Sequence, residues 1–495
     1  MIYVIGSGPS GVSVTKALLN RGETVTMIDA GIELENDKKE SLKEDQNKDD
    51  FAESNLFKSP YVFNKEPIKT VYGSTFPYDR VNQLVDIQPH PQVNAQASLA
   101  KGGLSNVWGS VNQNYSSETI RKWGLDEKKF KEYYKIINKS LNSTQLKLSR
   151  QANHIFSKSI SNNNKLKESG ISVSRAFVSV QKDMCIYCGL CMHGCPKEII
   201  YTSSKVIDDL LPHPNFNYIN GKVLTRLEEK KDSVILHLNH INSDEVEYLT
   251  AKKVFLACGP LISSSIILRS TPNQINNKKV HFSDSTHFII PSFMWKRFKK
   301  VENEDLHTLC QLKIKLENIR NKEAISLQVY TFMDFFPLQF KKILGPFYSL
   351  LRFFISPILD RLIVIQGHLS DKDSHSFNIT LDDNKVKFDQ TQNPLVNDTI
   401  GEIITLLIKN TFSLGIFPLF FMKKVSKIGK GVHFGSSFPM TRRKDKHLFS
   451  DMFGRPLNYK HIHIVDASII PTIEAGPITS TVMANAYRIG SETPL

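Results

Sequence analysis

The sequence predicts an α/β fold in which a parallel sheet, assembled from distant stretches of chain, is joined to an α+β unit built on an antiparallel sheet. Three observations carry this. Residues 1 to 31 read as strand, glycine-rich loop, helix and second strand. Residues 217 to 257 alternate in the strand manner and end in Val254-Phe255-Leu256-Ala257, which passes through Cys258-Gly259-Pro260 into a helix carrying Ile262, Ile266, Ile267 and Leu268. Residues 291 to 430 form a separate unit, with strand patterns at 312–316, 326–332, 361–367 and 377–381.

The first unit is the most informative. Ile2-Tyr3-Val4-Ile5 is a buried strand, and Gly6-Ser7-Gly8-Pro9-Ser10-Gly11 follows it directly. Gly6 permits the tight turn, Gly8 lets backbone approach a pyrophosphate, and Gly11 lets the next helix pack close to the strand. The helix N-terminus then faces the anion. After Val12, Ala17, Leu18 and Leu19 the helix stops near Gly22, and the strand 24–28 ends at Asp29, placed to accept from a ribose hydroxyl. A glycine-rich turn alone is common; strand, helix and acid together make this a Rossmann-like dinucleotide site, without fixing which dinucleotide.

At 495 residues the chain exceeds what one core usually holds. Two interleaved domains are expected, one from 1–112, 196–290 and 431–495, the other from 113–195 and 291–430. With 40% hydrophobic and 23% charged residues the composition is that of a globular protein. The net charge of +14 suits an anionic membrane surface or phosphorylated substrates. Its cations are scattered and not interleaved with aromatics, so no nucleic-acid partner is expected. A strand starting at Ile2 leaves no room for a signal peptide, which predicts a cytoplasmic protein with its six cysteines reduced or metal-bound.

Further along, residues 33–55 are nearly all charged or amide and predict an exposed loop. Lys101-Gly-Gly103-Leu-Ser105-Asn106-Val-Trp108-Gly-Ser110 brackets a small polar core with glycines, which suits either close approach to a flat ligand or a structural turn. Between 126 and 141, Phe130, Tyr133, Tyr134 and Ile137 fall at helical spacing and belong to a core. Cys185, Cys188, Cys191 and Cys195, followed by Pro196, have the spacing of a bacterial ferredoxin run. In two-cluster ferredoxins the fourth cysteine of such a run serves the other cluster, and there is no second run here. A single site would need Cys195 to fold back, or Cys258 or Cys310 to come from afar. Two readings stand, a 4Fe-4S cluster and a structural loop.

Three C-terminal stretches complete a pattern: Gly431-Val-His433-Phe-Gly-Ser-Ser-Phe-Pro-Met440, His463-Ile-Val-Asp466-Ala467-Ser468-Ile-Ile-Pro471, and Gly476-Pro477 running to Ile489. With the N-terminal unit and the GGLSNVWG loop they resemble, in order and approximate spacing, the glucose-methanol-choline family of FAD-dependent oxidoreductases. The resemblance covers most of the first domain and little of the middle. It implies FAD instead of NAD, with Gly103, Ser105 and Asn106 against the flavin and Val223 meeting the adenine through its backbone. Asp466 and Ala467 would form the phosphate-side turn, and Pro477 would open the closing helix. It implies that His433 stands over the flavin ring and takes a substrate hydroxyl proton while hydride passes to flavin N5. The antiparallel unit would be the substrate domain. Relatives use sugars, sterols and long-chain alcohols, and some carry a cysteine-rich stretch without a cluster.

One departure matters. The family places a histidine or asparagine just before the proline of the closing helix, and this chain has Gly476. Either another residue substitutes, with His461, His463 and Glu474 near in sequence, or the chain is a flavin-binding partner or electron-transfer subunit that has lost alcohol oxidation.

Residues 335–359 and 406–422 are rich in Phe, Leu and Ile and flanked by Lys341, Lys342, Arg352, Lys423 and Lys424. Neither holds eighteen uncharged apolar residues in a row, so neither should span a bilayer. They suit core helices or a peripheral contact with the inner face of a membrane, the latter fitting a lipid-linked alcohol. Gly345-Pro346, Ser356-Pro357 and Phe417-Pro418 argue against long regular helices.

Overall fold

A computed structural model of the chain describes residues 1–44, 54–57, 61–63, 67–271, 279–317, 319, 323–442, 448–456 and 458–495. The strand Ile2–Ile5 lies at the middle of a parallel sheet, between Lys253–Leu256 and Val25–Ile28. Ile462–Ile464 extends the sheet on one side and Phe216–Ile219 on the other, both parallel. Most neighbours in this sheet come from stretches about two hundred residues or more apart, so the domain is discontinuous along the chain. The first two strands are buried along their whole length, because helices cover both faces.

The helix Pro9–Leu19 packs on the closing helix Thr479–Glu492. A Cβ on Gly490 would lie 2.8 Å from the Ala17 Cβ and 2.9 Å from the Val14 carbonyl oxygen, so glycine sets how closely the two helices cross. Three antiparallel strands, Lys222–Glu229, Val234–His240 and Val246–Ala251, form the meander that returns to Lys253–Leu256.

A larger antiparallel sheet runs in the order Ile416–Pro418, His287–Met294, Leu362–His368, Ile325–Tyr330, Leu312–Leu316, Ile171–Arg175. Its apolar face, including Ile290, Leu327 and Ile365, packs with Ile400, Ile403 and Leu407 of the helix Leu395–Lys409. The helix Glu127–Ser140 is capped by the Asp126 carboxylate and buries Phe130, Tyr133, Tyr134 and Ile137 as its spacing predicts.

Three local expectations change. The strand expected at 377–381 forms at Ser376–Asp382, but pairs with Val280–Ser283 and Lys385–Thr391 in a sheet of its own. There Phe282, Phe377 and Val386 join the core of the parallel-sheet domain. Within the expected loop at 33–55, Asn36–Glu44 is a helix, and residues 45–53 lie outside the described ones. The segment 335–359 is helical almost throughout, as Phe335–Leu344, a 3₁₀ turn Gly345–Phe347, and Tyr348–Leu359 with Pro357 inside it. Gly345, at φ 55°, takes up the turn.

Candidate functional site

Gly6, Gly8, Asp29, Gly103, Val223 and Ala467 line one cavity at the carboxyl ends of the parallel strands. Gly6 has φ +94°, and a Cβ there would lie 2.7 Å from the Ala257 carbonyl oxygen at the neighbouring strand end. On Gly11 a Cβ would stand 2.0 Å from the Gly6 carbonyl oxygen, which makes it a packing residue beneath the loop. Gly8 has nothing within 4 Å of its Cβ direction, so its backbone faces open space. A Cβ on Gly103 would come 3.4 Å from the Gly8 Cα, so the two glycine loops meet side by side at the cavity wall.

Asp29 is buried and accepts from the Ser7 hydroxyl and, at 3.2 Å, from the Tyr218 hydroxyl. Burial pushes its carboxyl up to about 6, against the pull of those two donors. Ser7 Oγ also accepts from the Gly102 amide at 2.8 Å, tying the first loop to the second.

Other predicted cofactor residues act from behind. Ser105 donates to the Gly102 carbonyl at 2.6 Å and accepts from the Ser203 amide at 2.9 Å. Asn106 donates to the Lys101 and Gly103 carbonyls at 2.9 and 2.7 Å. Both brace the loop. Asp466 is buried and accepts from the Ser263 hydroxyl and from the amide and hydroxyl of Ser468 at 2.9 and 2.6 Å, so it locks the turn that presents Ala467. Pro477 is buried beside Ile478, which lines the cavity.

His433 stands between Val432 and Phe434, both lining the same cavity. Its ring centroid is 4.2 Å from that of His368, and His368 is 5.0 Å from His287. A Cβ on Gly431 would lie 3.0 Å from the His287 Cβ and 3.2 Å from the His368 ring, so any side chain there would press on this stack. Burial, with His287 adding to it, lowers His433 to about 3; burial also lowers His287 to about 4 and His368 well below its ordinary value. All three are neutral at pH 7. His433 Nδ1 is buried with no hydrogen-bond partner among the described residues, while His287 Nδ1 pairs with Ser426 Oγ at 2.8 Å. His287 and His368 escape notice in the sequence because each sits at the end of an ordinary apolar strand.

The space that Gly476 leaves is taken by Gln113. A Cβ on Gly476 would lie 2.7 Å from Gln113 Nε2, and Gln113 Oε1 is buried without a partner among the described residues. The three candidates near in sequence are engaged elsewhere. Glu474 accepts from the Ser116 amide and hydroxyl at 3.0 and 2.8 Å. His463 stacks on Phe255 inside the parallel sheet, and His461 lies 3.3 Å from the Lys231 carbonyl.

Cys185, Cys188, Cys191 and Cys195 line one small cavity with Leu146, Tyr187 and Leu309. Cys195 thus folds back, and neither Cys258 nor Cys310 is needed. Gly189 and Gly194, at φ 80° and 109°, make the turns, and a Cβ on Gly194 would strike the Tyr72 ring at 2.6 Å. None of the four is in a disulfide, and burial, helped by neighbouring sulfurs, pushes Cys191 up to about 12. Among the described residues no three His, Cys, Asp or Glu side chains converge closely enough for a single metal ion. A four-iron cluster holds its thiolates farther apart than one ion does, so four sulfurs around a shared cavity suit the cluster. A second cavity lies between this site and the glycine loop at 101–110 and is lined by Ser105, Asn106, Trp108, Cys191 and Cys195.

Residues 178–201 match the family described as 4Fe-4S binding domain. Over the whole chain the structure is similar to the crystal structure of pyridoxine 4-oxidase from Mesorbium loti, with TM-score 0.59 and 13% identity, covering 99% of this chain and 98% of that one. The chain therefore shares that protein's fold along its whole length, with a parallel-sheet unit joined to antiparallel sheets. No curated protein matches the sequence. Within this fold the cavity at Gly6, Gly8 and Asp29 occupies the crevice at the carboxyl ends of the strands, where α/β sheets bind their ligands.

Proposed function

We propose that the chain is an FAD-dependent oxidoreductase acting on the CH–OH group of an alcohol, with a 4Fe-4S cluster held by Cys185, Cys188, Cys191 and Cys195. The observation that carries the proposal is the single cavity shared by the two glycine loops, Asp29, Val223 and the residues on either side of His433. Bound FAD would supply the hydride acceptor, and the cluster a one-electron centre beside it.

The chain's own residues do the rest. The helix N-terminus after Gly8 and the open backbone at Gly8 receive the pyrophosphate. Asp29 accepts from a ribose hydroxyl, and Ser7 and Tyr218 hold its carboxylate in place. His433, neutral because it is buried among imidazoles, takes the hydroxyl proton as the carbon gives up hydride. Gln113 points an amide with two donors at the place of the family's second residue and steadies the substrate oxygen. The substrate class is a sugar, sterol-like, long-chain or lipid-linked alcohol. The alternative, a flavin-binding partner without the reaction, drew its motive from Gly476, and the Gln113 amide in that space favours the enzyme.

Anaerobic mixing of the holoenzyme with a panel of such alcohols tests the reading. Bleaching of the flavin bands by at least one is expected. A purified protein without flavin absorbance that also takes up no added FAD would overturn it.

A further inference from the structure

We infer that the helical arm Phe335–Leu359 and the tip Phe420–Met422 form one surface that docks, in plane, on an anionic lipid bilayer. The arm exposes what a soluble helix buries: Ile343 is 78%, Leu350 77%, Phe353 82% and Phe354 68% exposed. Phe420, Phe421 and Met422 are exposed as well, and so are Trp295 and Phe412, whose rings stack at 5.6 Å. These are not scattered residues. Phe293 lies in register opposite Leu362, three residues after the arm, and opposite Phe417 on its other side, so one strand joins the two patches. Large apolar side chains exposed in such number mark an interaction site.

Charge names the occupant. Lys341, Lys342 and Arg352, the last 3.5 Å from Glu302, are exposed on the arm, Lys423 and Lys424 follow the tip, and Lys296 follows Trp295. No acidic residue occurs between 335 and 359 or between 403 and 424. Apolar side chains rimmed by cations match acyl chains beneath anionic headgroups. A protein partner would need an acidic rim around an aromatic-filling groove, whereas a bilayer offers both features everywhere.

The arm lies on the surface and does not cross it. By length and composition its 25 residues, which include an 18-residue window of mean hydropathy 1.2, could span a membrane. Yet Phe336 near its start and Ile355 and Leu359 near its end are buried in one cluster with Tyr330, Met333 and Val364. Asp334, the residue before it, is held by His193 Nε2 at 2.5 Å. With both ends fastened to the same sheet, the arm can only offer one flank to a lipid.

Flotation of the full-length holoprotein with phosphatidylcholine vesicles, with and without phosphatidylglycerol, tests this without any substrate and so independently of the proposed chemistry. The protein should float with anionic vesicles at low salt and less so at high salt. Leu350→Ser/Phe353→Ser/Phe354→Ser changes only exposed positions and should keep its fold by circular dichroism while partitioning drops at least about tenfold. Lys423→Glu/Lys424→Glu should weaken binding to anionic vesicles and leave the neutral ones unaffected. The inference is overturned if the wild type stays at the bottom with both lipids at low salt, or if the triple variant floats like the wild type. It is equally overturned if the wild type is a dimer in solution that the triple substitution dissociates, for then a second copy covers the face.

Discussion

The side-chain amide of Gln113 stands 2.7 Å from the point where a Cβ on Gly476 would lie, so a residue from the first third of the chain fills the gap left by a glycine near its end. The neighbour it would meet is the far end of a flexible side chain. Gly476→Asn should therefore fold, pushing Gln113 aside. Under the proposed chemistry Gln113→Ala should slow anaerobic flavin reduction by about 10²-fold, the usual worth of one oriented donor. Gln113→Ala/Gly476→Asn should recover part of that loss. Stopped-flow reduction with the best alcohol checks it, and a wild-type rate in Gln113→Ala would show that the amide is only filling space.

His433→Ala should retain FAD and reduce it about 10² to 10⁴ times more slowly. Because burial keeps His433 near 3, the wild-type profile of kcat/KM should show no break in the usual imidazole range that is due to this residue. His287→Ala removes the neighbouring imidazole that lowers His433 and lets water in. Its profile should then gain a break, shifted upward toward ordinary imidazole values, and an unchanged profile would argue against the stack as the cause.

Much of this was legible in the sequence, for reasons that differ by element. Gly6, Gly8 and Asp29 could be read because their roles depend on near neighbours along one strand-loop-helix unit. Phe377 could be read as a strand residue but not assigned to its sheet, since alternation gives the faces of a strand and not its partner. Gln113, His287 and His368 were invisible because each gains its meaning from a contact with a residue far along the chain. The cysteine run showed its spacing but not its path, which depends on positive φ at Gly189 and Gly194. Hydrophobicity marked 335–359, but composition could not say that the apolar side would face outward.

Anaerobic purification should yield about four iron and four sulfide per chain if the four thiols hold one cluster. Cys→Ser at 185, 188, 191 or 195 should lower the iron content and bleach the cluster's visible absorption. Cys258→Ser and Cys310→Ser, away from that cavity, should not. Less than about one-half iron per chain in the wild type would return the run to a structural loop.

Asp29 makes a prediction about stability in the absence of cofactor. Its carboxyl is raised from 3.8 to about 6 in the fold, chiefly by burial, so the folded apoprotein binds its proton more tightly than the unfolded chain does. Such a group contributes fully below the unfolded value, and the contribution fades as pH rises from about 4 through about 6. Above that window the burial of a charged carboxylate costs about 3 kcal/mol, from the size of the shift. Asp29→Asn removes the charge while keeping an oxygen that can accept from Ser7 or Tyr218. Urea unfolding of the apoproteins should show the variant gaining on the wild type between pH 4 and 7 and holding its advantage at pH 8. With FAD present the order should reverse, because an amide is a weaker acceptor than a carboxylate for a ribose hydroxyl, and FAD affinity should fall. A variant that is less stable than the wild type at pH 8 without FAD would mean that the two donors outweigh the cost of burial.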